Sequence, residues 1–356
     1  MQQYRKEIDG LRCLAVIAVL LYHAKLSFGN SYLFKGGFFG VDVFFVLSGY
    51  LITTIIKNAI DNNNFSFADF YWRRARRILP ALFFILFFVS AAAYFLLLPH
   101  ELIKYAESLK STIYFGSNHY FYNEDSYISD SNMFKLLIHT WTLSVEWQFY
   151  MLYPVIFWFI YRFFPNRALS IIVVLFGASL QYCHHIVPNY PDMAFYLFPS
   201  RAWELLLGGI LVFFNREKFF AKNDTPLLNI LPLLGIYLII YSMLFIDDKS
   251  LHPSLITLIP TIGASIYIMF ARKGELITDI LSSKNPVFIG VISYSLYLWH
   301  QPVFVFLRII KNRQYMKNEH FLLALLLSIM LAFITYLIIE KPFRSSKNKK
   351  LKIFII

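Results

Sequence analysis

Residues Ile8 to His23 read IDGLRCLAVIAVLLYH, and this stretch decides what kind of protein the chain makes. It is apolar enough to be a membrane-spanning helix, yet it carries an arginine and a histidine. Arg12 and His23 are eleven residues apart, which at 100° per residue returns them to nearly the same helix face, roughly 16 Å apart along the axis. Ionisable side chains at membrane depth are costly and usually face a bundle interior or a wet cavity, so both are functional candidates. The plainer reading of this helix alone is an arginine near its end and a histidine hydrogen-bonded inside a bundle.

The rest of the chain supports a membrane setting. Of 356 residues, 58% are hydrophobic and 15% charged, and apolar runs of about 20 residues, each able to cross a hydrocarbon core of about 30 Å, recur along it. The expected fold class is all-α, a polytopic membrane protein forming a single integral domain over residues 1–356. Ten spans are expected, at 10–28, 38–56, 78–98, 141–161, 168–187, 201–214, 227–246, 254–271, 286–307 and 321–340. An even number places both termini on one side. With that side cytoplasmic, most of the 33 lysines and arginines fall there, as the positive-inside rule requires. The net charge of +12 is thus explained by topology, without nucleic acid as a partner. No cleavage site follows the first apolar run, so it is expected to stay as a span. One loop dissents: Arg308, Lys311, Arg313 and Lys317 fall on the outer side, so either an acidic partner meets them there or a span is misplaced. Cys13 and Cys183 lie in apolar helices and read as small buried hydrophobes.

Polar residues recur at matching depths. Span two carries Asp42 near its outer end, then Ser48 and Gly49, whose small size serves close approach of a ligand or of a neighbouring helix. Residues 65–77 hold Arg73, Arg74, Arg76 and Arg77 behind a run of aromatics. They read as an interfacial Arg-rich segment, either a phosphate-binding mouth or a lipid anchor. The long outer loop 99–140 offers Tyr120, Phe121, Tyr122 and Tyr127, as sugar-stacking platforms or as part of the interface belt. Glu146 enters on span four, Arg201 and Glu204 at i, i+3 on span six, and His300 on span nine. His23, Asp42, Glu146, Glu204 and His300 therefore fall in the outer half of the membrane on five helices, with Arg74 and Arg77 at the opposite face. This layering predicts one polar chamber reached through a basic mouth. A short basic tail, 341–356, closes the chain.

Several chemistries are excluded. The sequence has no GxxxxGK[ST], GxGxxG or GxSxG, hence none of the usual nucleotide cradles or hydrolase elbows. Its nine histidines include no HxxxH pair, and no metal site is expected. Histidine and carboxylates beside a phosphate-binding mouth suit general-base transfer of an activated acyl group to a hydroxyl.

These same stretches resemble a known family. YRKEIDGLRCLAVIAVLLYH, GGFFGVDVFFVLSGYLI, FYWRRARRILP, HTWTLSVEWQFYMLYP and YSLYLWHQP occur in that order and resemble the motifs of the acyltransferase-3 family of bacterial membrane O-acyltransferases. The resemblance implies ten core helices in the cytoplasmic (inner) membrane and an acyl-CoA donor, most often acetyl-CoA. It also implies a hydroxyl acceptor on an envelope polysaccharide or lipid-linked glycan such as O-antigen. Carried over residue by residue, it makes His23 the catalytic base and Arg12 its companion. Arg74 and Arg77 become the donor-phosphate ligands, and Phe44, Phe45, Ser48 and Gly49 the lining of the acyl route. Asp42 or Glu146 is expected to orient the imidazole, and Glu204 and His300 to form a polar pocket on the acceptor side. Because the chain ends at Ile356, the form expected is the one without a C-terminal SGNH-hydrolase domain. The competing class is a multi-pass flippase or exporter of a lipid-linked glycan, whose polar residues would bind without reacting.

Overall fold

The computed structural model describes residues 4–24, 27–28, 31–32, 34–124, 132–214, 216, 219–220, 226–247, 250–311 and 318–345. It is helical apart from a two-residue antiparallel pairing of Ser27–Phe28 with Ser31–Tyr32. The helices, in chain order, are α1 (Lys6–Ala24), α2 (Gly40–Asp61), α3 (Phe67–Leu96), α4 (Pro99–Ile113) and α5 (Ser117–Asn123). They continue with α6 (Thr140–Phe163), α7 (Ala168–Ile186), α8 (Pro191–Tyr196), α9 (Phe198–Ile210) and α10 (Leu231–Phe245). The last five are α11 (Leu258–Phe270), α12 (Leu276–Leu281), α13 (Lys284–Lys311), α14 (Asn318–Thr335) and α15 (Lys341–Ser345), with a π-helical turn at Tyr336–Glu340 before α15.

Helices stand at the positions of all ten expected spans. Among the described residues, five stretches are long and apolar enough to cross a membrane by length and composition: Gly37–Asp61, Phe67–Leu96, Pro165–Ile186, Pro191–Phe213 and Glu319–Arg344. Their outward faces are apolar, with Phe87 and Phe95 on α3 and Val174 on α7 strongly exposed, as lipid requires. The Arg-rich segment continues directly into the third expected span, because α3 runs unbroken from Phe67 through Pro80 to Leu96; proline is tolerated inside a helix where neighbouring helices support it. Within the outer loop 99–140, Pro99–Ile113 and Ser117–Asn123 form α4 and α5.

The central helix is α1, packed along α13 and against α2, while α2 crosses α9 and α9 packs on α7. Where helices cross, glycine permits backbone contact. A Cβ on Gly290 would lie 1.9 Å from the Asp9 carbonyl oxygen, and one on Gly49 would lie 1.7 Å from that of Leu205. Small residues let membrane helices approach this closely and gain dispersion energy that larger ones forfeit. Gly49→Ala is therefore expected to force α2 and α9 apart and to destabilise the protein by roughly 1–3 kcal/mol, read as a lower Tm in detergent.

Candidate active site

Three cavities line up through the bundle. The first, of about 390 Å³, is a mouth beside the start of α1, lined by Arg12, Arg77, Lys341 and Arg344 together with Asp9 and Glu340. It shares Arg12, Arg77, Ser293 and Tyr294 with a throat of about 100 Å³ whose other walls include Phe44, Phe45, Ser48 and Glu146. The throat in turn shares Val41 and Tyr297 with a chamber of about 610 Å³ that His23, His139, Arg201, His252 and Arg308 help to line. Helix α1 contributes Arg12 and then His23 in this order, and α13 contributes Ser293, Tyr297 and Arg308, so the three adjoining cavities lie along both helices.

In the mouth, Arg12 pairs with Asp9 at 2.8 Å and Arg344 with Glu340 at 3.6 Å. Asp9 also accepts a hydrogen bond from Tyr4, and Glu340 from Ser295. No carboxylate among the described residues pairs with Arg77. Its guanidinium fork matches phosphate oxygens. Arg74, one turn earlier on α3, turns inward instead. It is 8% exposed, its guanidinium lies 5.9 Å from the Phe70 ring, and its Nε has no partner. Glu146 and Tyr150 are its electrostatic neighbours.

In the chamber wall, His23 Nδ1 lies 3.0 Å from His300 Nε2, with the two rings stacked. The other ring nitrogen of His300, Nδ1, hydrogen-bonds the Tyr297 carbonyl. A carbonyl only accepts, so Nδ1 of a neutral His300 carries the proton and Nε2 holds the lone pair. His23 Nδ1 must then donate to it, which leaves the His23 lone pair on Nε2. A base is oriented this way when its second nitrogen is tied to an acceptor.

The expected carboxylate orienter is thereby corrected. Asp42 is fully buried, at 2.8 Å from Arg201 Nη1 and 3.2 Å from His252 Nε2. Glu204 also takes Arg201 Nη1, at 2.9 Å. Arg201 lies between the rings of Trp141 and Phe195, at 5.3 and 5.0 Å, and donates from Nε to the Phe195 carbonyl. Glu146 accepts from Ser48 and Tyr150 and lines the throat, not the chamber. The five polar residues expected in one chamber therefore divide. His23 lines it, His300 stands behind His23, Asp42 and Glu204 hold Arg201 in its wall, and Glu146 lies below. Gly49 faces α9 and so does not line the acyl route, unlike Phe44, Phe45 and Ser48.

Of the outer aromatics, Tyr120 and Phe121 line a separate cavity of about 240 Å³ with Glu101, Lys104 and Lys135; Tyr127 lies outside the described residues. Sequence reasoning missed His139 and His252. His252 sits in the turn between α10 and α11, where depth counting along spans gives no signal, and burial holds its imidazole below the ordinary histidine value despite Asp42. Among the described residues no cluster of histidine, cysteine and carboxylate is arranged to hold a metal ion.

Known proteins share this sequence pattern. A family model described as an acyltransferase domain matches residues 5–339. The chain is 30% identical, over 98% of its length, to O-acetyltransferase OatA of Staphylococcus aureus, and covers 58% of that protein. It is 29% identical over 96% to the putative peptidoglycan O-acetyltransferase YrhL of Bacillus subtilis, covering 55% of it. With peptidoglycan O-acetyltransferase OatA of Listeria monocytogenes it shares 28% over 97%, covering 56%. The chain thus spans somewhat over half the length of these relatives. No solved structure matches it.

Proposed function

The chain belongs to the acyltransferase-3 family, and from that premise we propose that it is a membrane O-acetyltransferase carrying an acetyl group from acetyl-CoA to a hydroxyl of an envelope glycan. The observation that supports this most is the run of three cavities joining Arg12 and Arg77 to His23. A flippase or exporter whose polar residues only bind has no need of an oriented imidazole in line with a cation-lined cavity. In this reading ten helices span the cytoplasmic membrane with both termini inside. The donor's phosphates rest on Arg77, Arg12 and Arg344, and the pantetheine arm fills the throat past Phe44 and Ser48. The roughly 16 Å between Arg12 and His23 along α1 suits that extended arm. His23 Nε2 takes the proton of the acceptor hydroxyl, whose oxygen attacks the thioester carbonyl; the C–S bond breaks, and the imidazolium returns the proton to the departing thiolate. The relatives named as peptidoglycan O-acetyltransferases favour a peptidoglycan-type acceptor over O-antigen.

The test is release of CoA from labelled acetyl-CoA by purified protein in the presence of cell-wall glycan. Arg77→Ala is expected to raise KM for acetyl-CoA by roughly tenfold or more, the loss of one charge-assisted phosphate contact, with little change in kcat. A defect confined to acceptor use would mean that the mouth does not hold the donor. Absence of any acetyl transfer by the wild type, with glycan binding intact, would favour the exporter reading.

A further inference from the structure

Arg308 is one of four cations, with Lys311, Arg313 and Lys317, that the positive-inside rule did not place. The structure puts it near the C-terminal end of α13, 2% exposed, in the wall of the chamber. Its Nη1 donates to the Met133 carbonyl at 3.0 Å and its Nη2 to the carbonyl of His23, while Nε has no partner. The other guanidinium of the chamber, Arg201, is held by two carboxylates. No carboxylate among the described residues pairs with Arg308. Asp42 and Glu204 are both committed to Arg201. Carbonyl dipoles at the end of α1 offset part of the cost of this buried cation, but they supply no countercharge, and a buried charge without one is expensive.

Because Arg308 grips the backbone of His23, an anion bound on its remaining face lies beside the imidazole. The chamber, at about 610 Å³, falls within the ~300–1,000 Å³ of small-ligand sites. We propose that Arg308 is an acceptor-binding residue, and that the acceptor carries an oxyanion, carboxylate or phosphate, close to the hydroxyl that is acylated. The acylation step in this proposal rests on the acyl-transfer reading, to which the proposal adds the charge class of the acceptor.

The test uses two pairs of probes, N-acetylmuramic acid with its methyl ester, and N-acetylglucosamine 1-phosphate with N-acetylglucosamine. Binding to the full chain in detergent is measured without donor. In at least one pair the charged member is expected to bind at least about tenfold more tightly, as charge-assisted contacts do; the first pair showing it identifies a carboxylate, the second a phosphate. Arg308→Gln is expected to abolish that ratio. Arg308→Lys, which keeps the charge, is expected to retain a smaller preference, and it serves if the glutamine variant does not fold. Equal binding of charged and neutral members in both pairs, or a preference that survives Arg308→Gln, overturns the proposal and leaves Arg308 as a clamp on the end of α1. Because binding is read without donor, a wild type that prefers the charged probes yet transfers no acetyl group contradicts the acyl-transfer reading alone.

Discussion

His23→Ala is expected to lower kcat for acetyl transfer by ~10²–10⁴-fold, the usual contribution of a positioned general base, while acetyl-CoA still binds. Donor affinity survives because the cations of the mouth lie at the other end of the passage. Equilibrium binding of the donor to the variant, beside its turnover, separates the two. A companion measurement isolates the tautomer. In His300→Phe the ring remains but the acceptor for His23 Nδ1–H is gone, so the imidazole is free to place its proton on either nitrogen and a fraction of molecules presents the wrong one. The expected result is a kcat loss smaller than that of His23→Ala, with KM for both substrates little changed. ¹⁵N-histidine spectra would show the His23 Nε2–H form appearing in the variant. Full turnover in His23→Ala would remove this histidine from the chemistry altogether.

Arg201→Met is expected to destabilise the fold by about 3–5 kcal/mol, because it leaves Asp42 and Glu204 buried without their cation. Both carboxylates are fully buried and both bind the same nitrogen of Arg201. Removing one partner of a buried ion cluster costs far more than the cluster contributes over an apolar replacement. A triple change, Asp42→Leu, Arg201→Met and Glu204→Leu, is therefore expected to recover much of the loss in Tm. Acetyl transfer need not return with it, since Arg201 also lines the chamber. Thermal unfolding in detergent decides the matter: a single variant as stable as the wild type would show that water or another group compensates the carboxylates.

How much of the molecule was legible in the chain depends on which interactions are local. The apolar runs, the depth of each polar residue within its run, and the return of Arg12 and His23 to one face all come from 100° and 1.5 Å per residue. These quantities are fixed within each helix, and the structure sets helices where the runs lie. The family motifs were likewise readable as strings, and the acyltransferase-domain match over residues 5–339 agrees with them. Arg308 was legible only as an anomaly. Charge counting grouped it with Lys311, Arg313 and Lys317 on the outer side, and only the structure shows Arg308 buried in the chamber wall.

Partnerships were not legible, because they depend on how each helix is rotated about its axis once it packs. Asp42 and Arg201 are 159 residues apart, and His23 and His300 are 277 apart; no periodicity within either helix selects those pairs. Rotation is set at crossings such as Gly49 on Leu205 and Gly290 on Asp9, where backbones touch. It turns Gly49 onto α9 while Ser48, on a neighbouring face of the same helix, lines the throat. By itself the sequence determined a helical membrane protein with its polar residues ranked by depth, because the lipid solvent punishes any other arrangement of so apolar a chain. Only the tertiary structure decided that a histidine, not a carboxylate, orients His23, because the direction a side chain faces is settled by close packing between helices and not by its place along one.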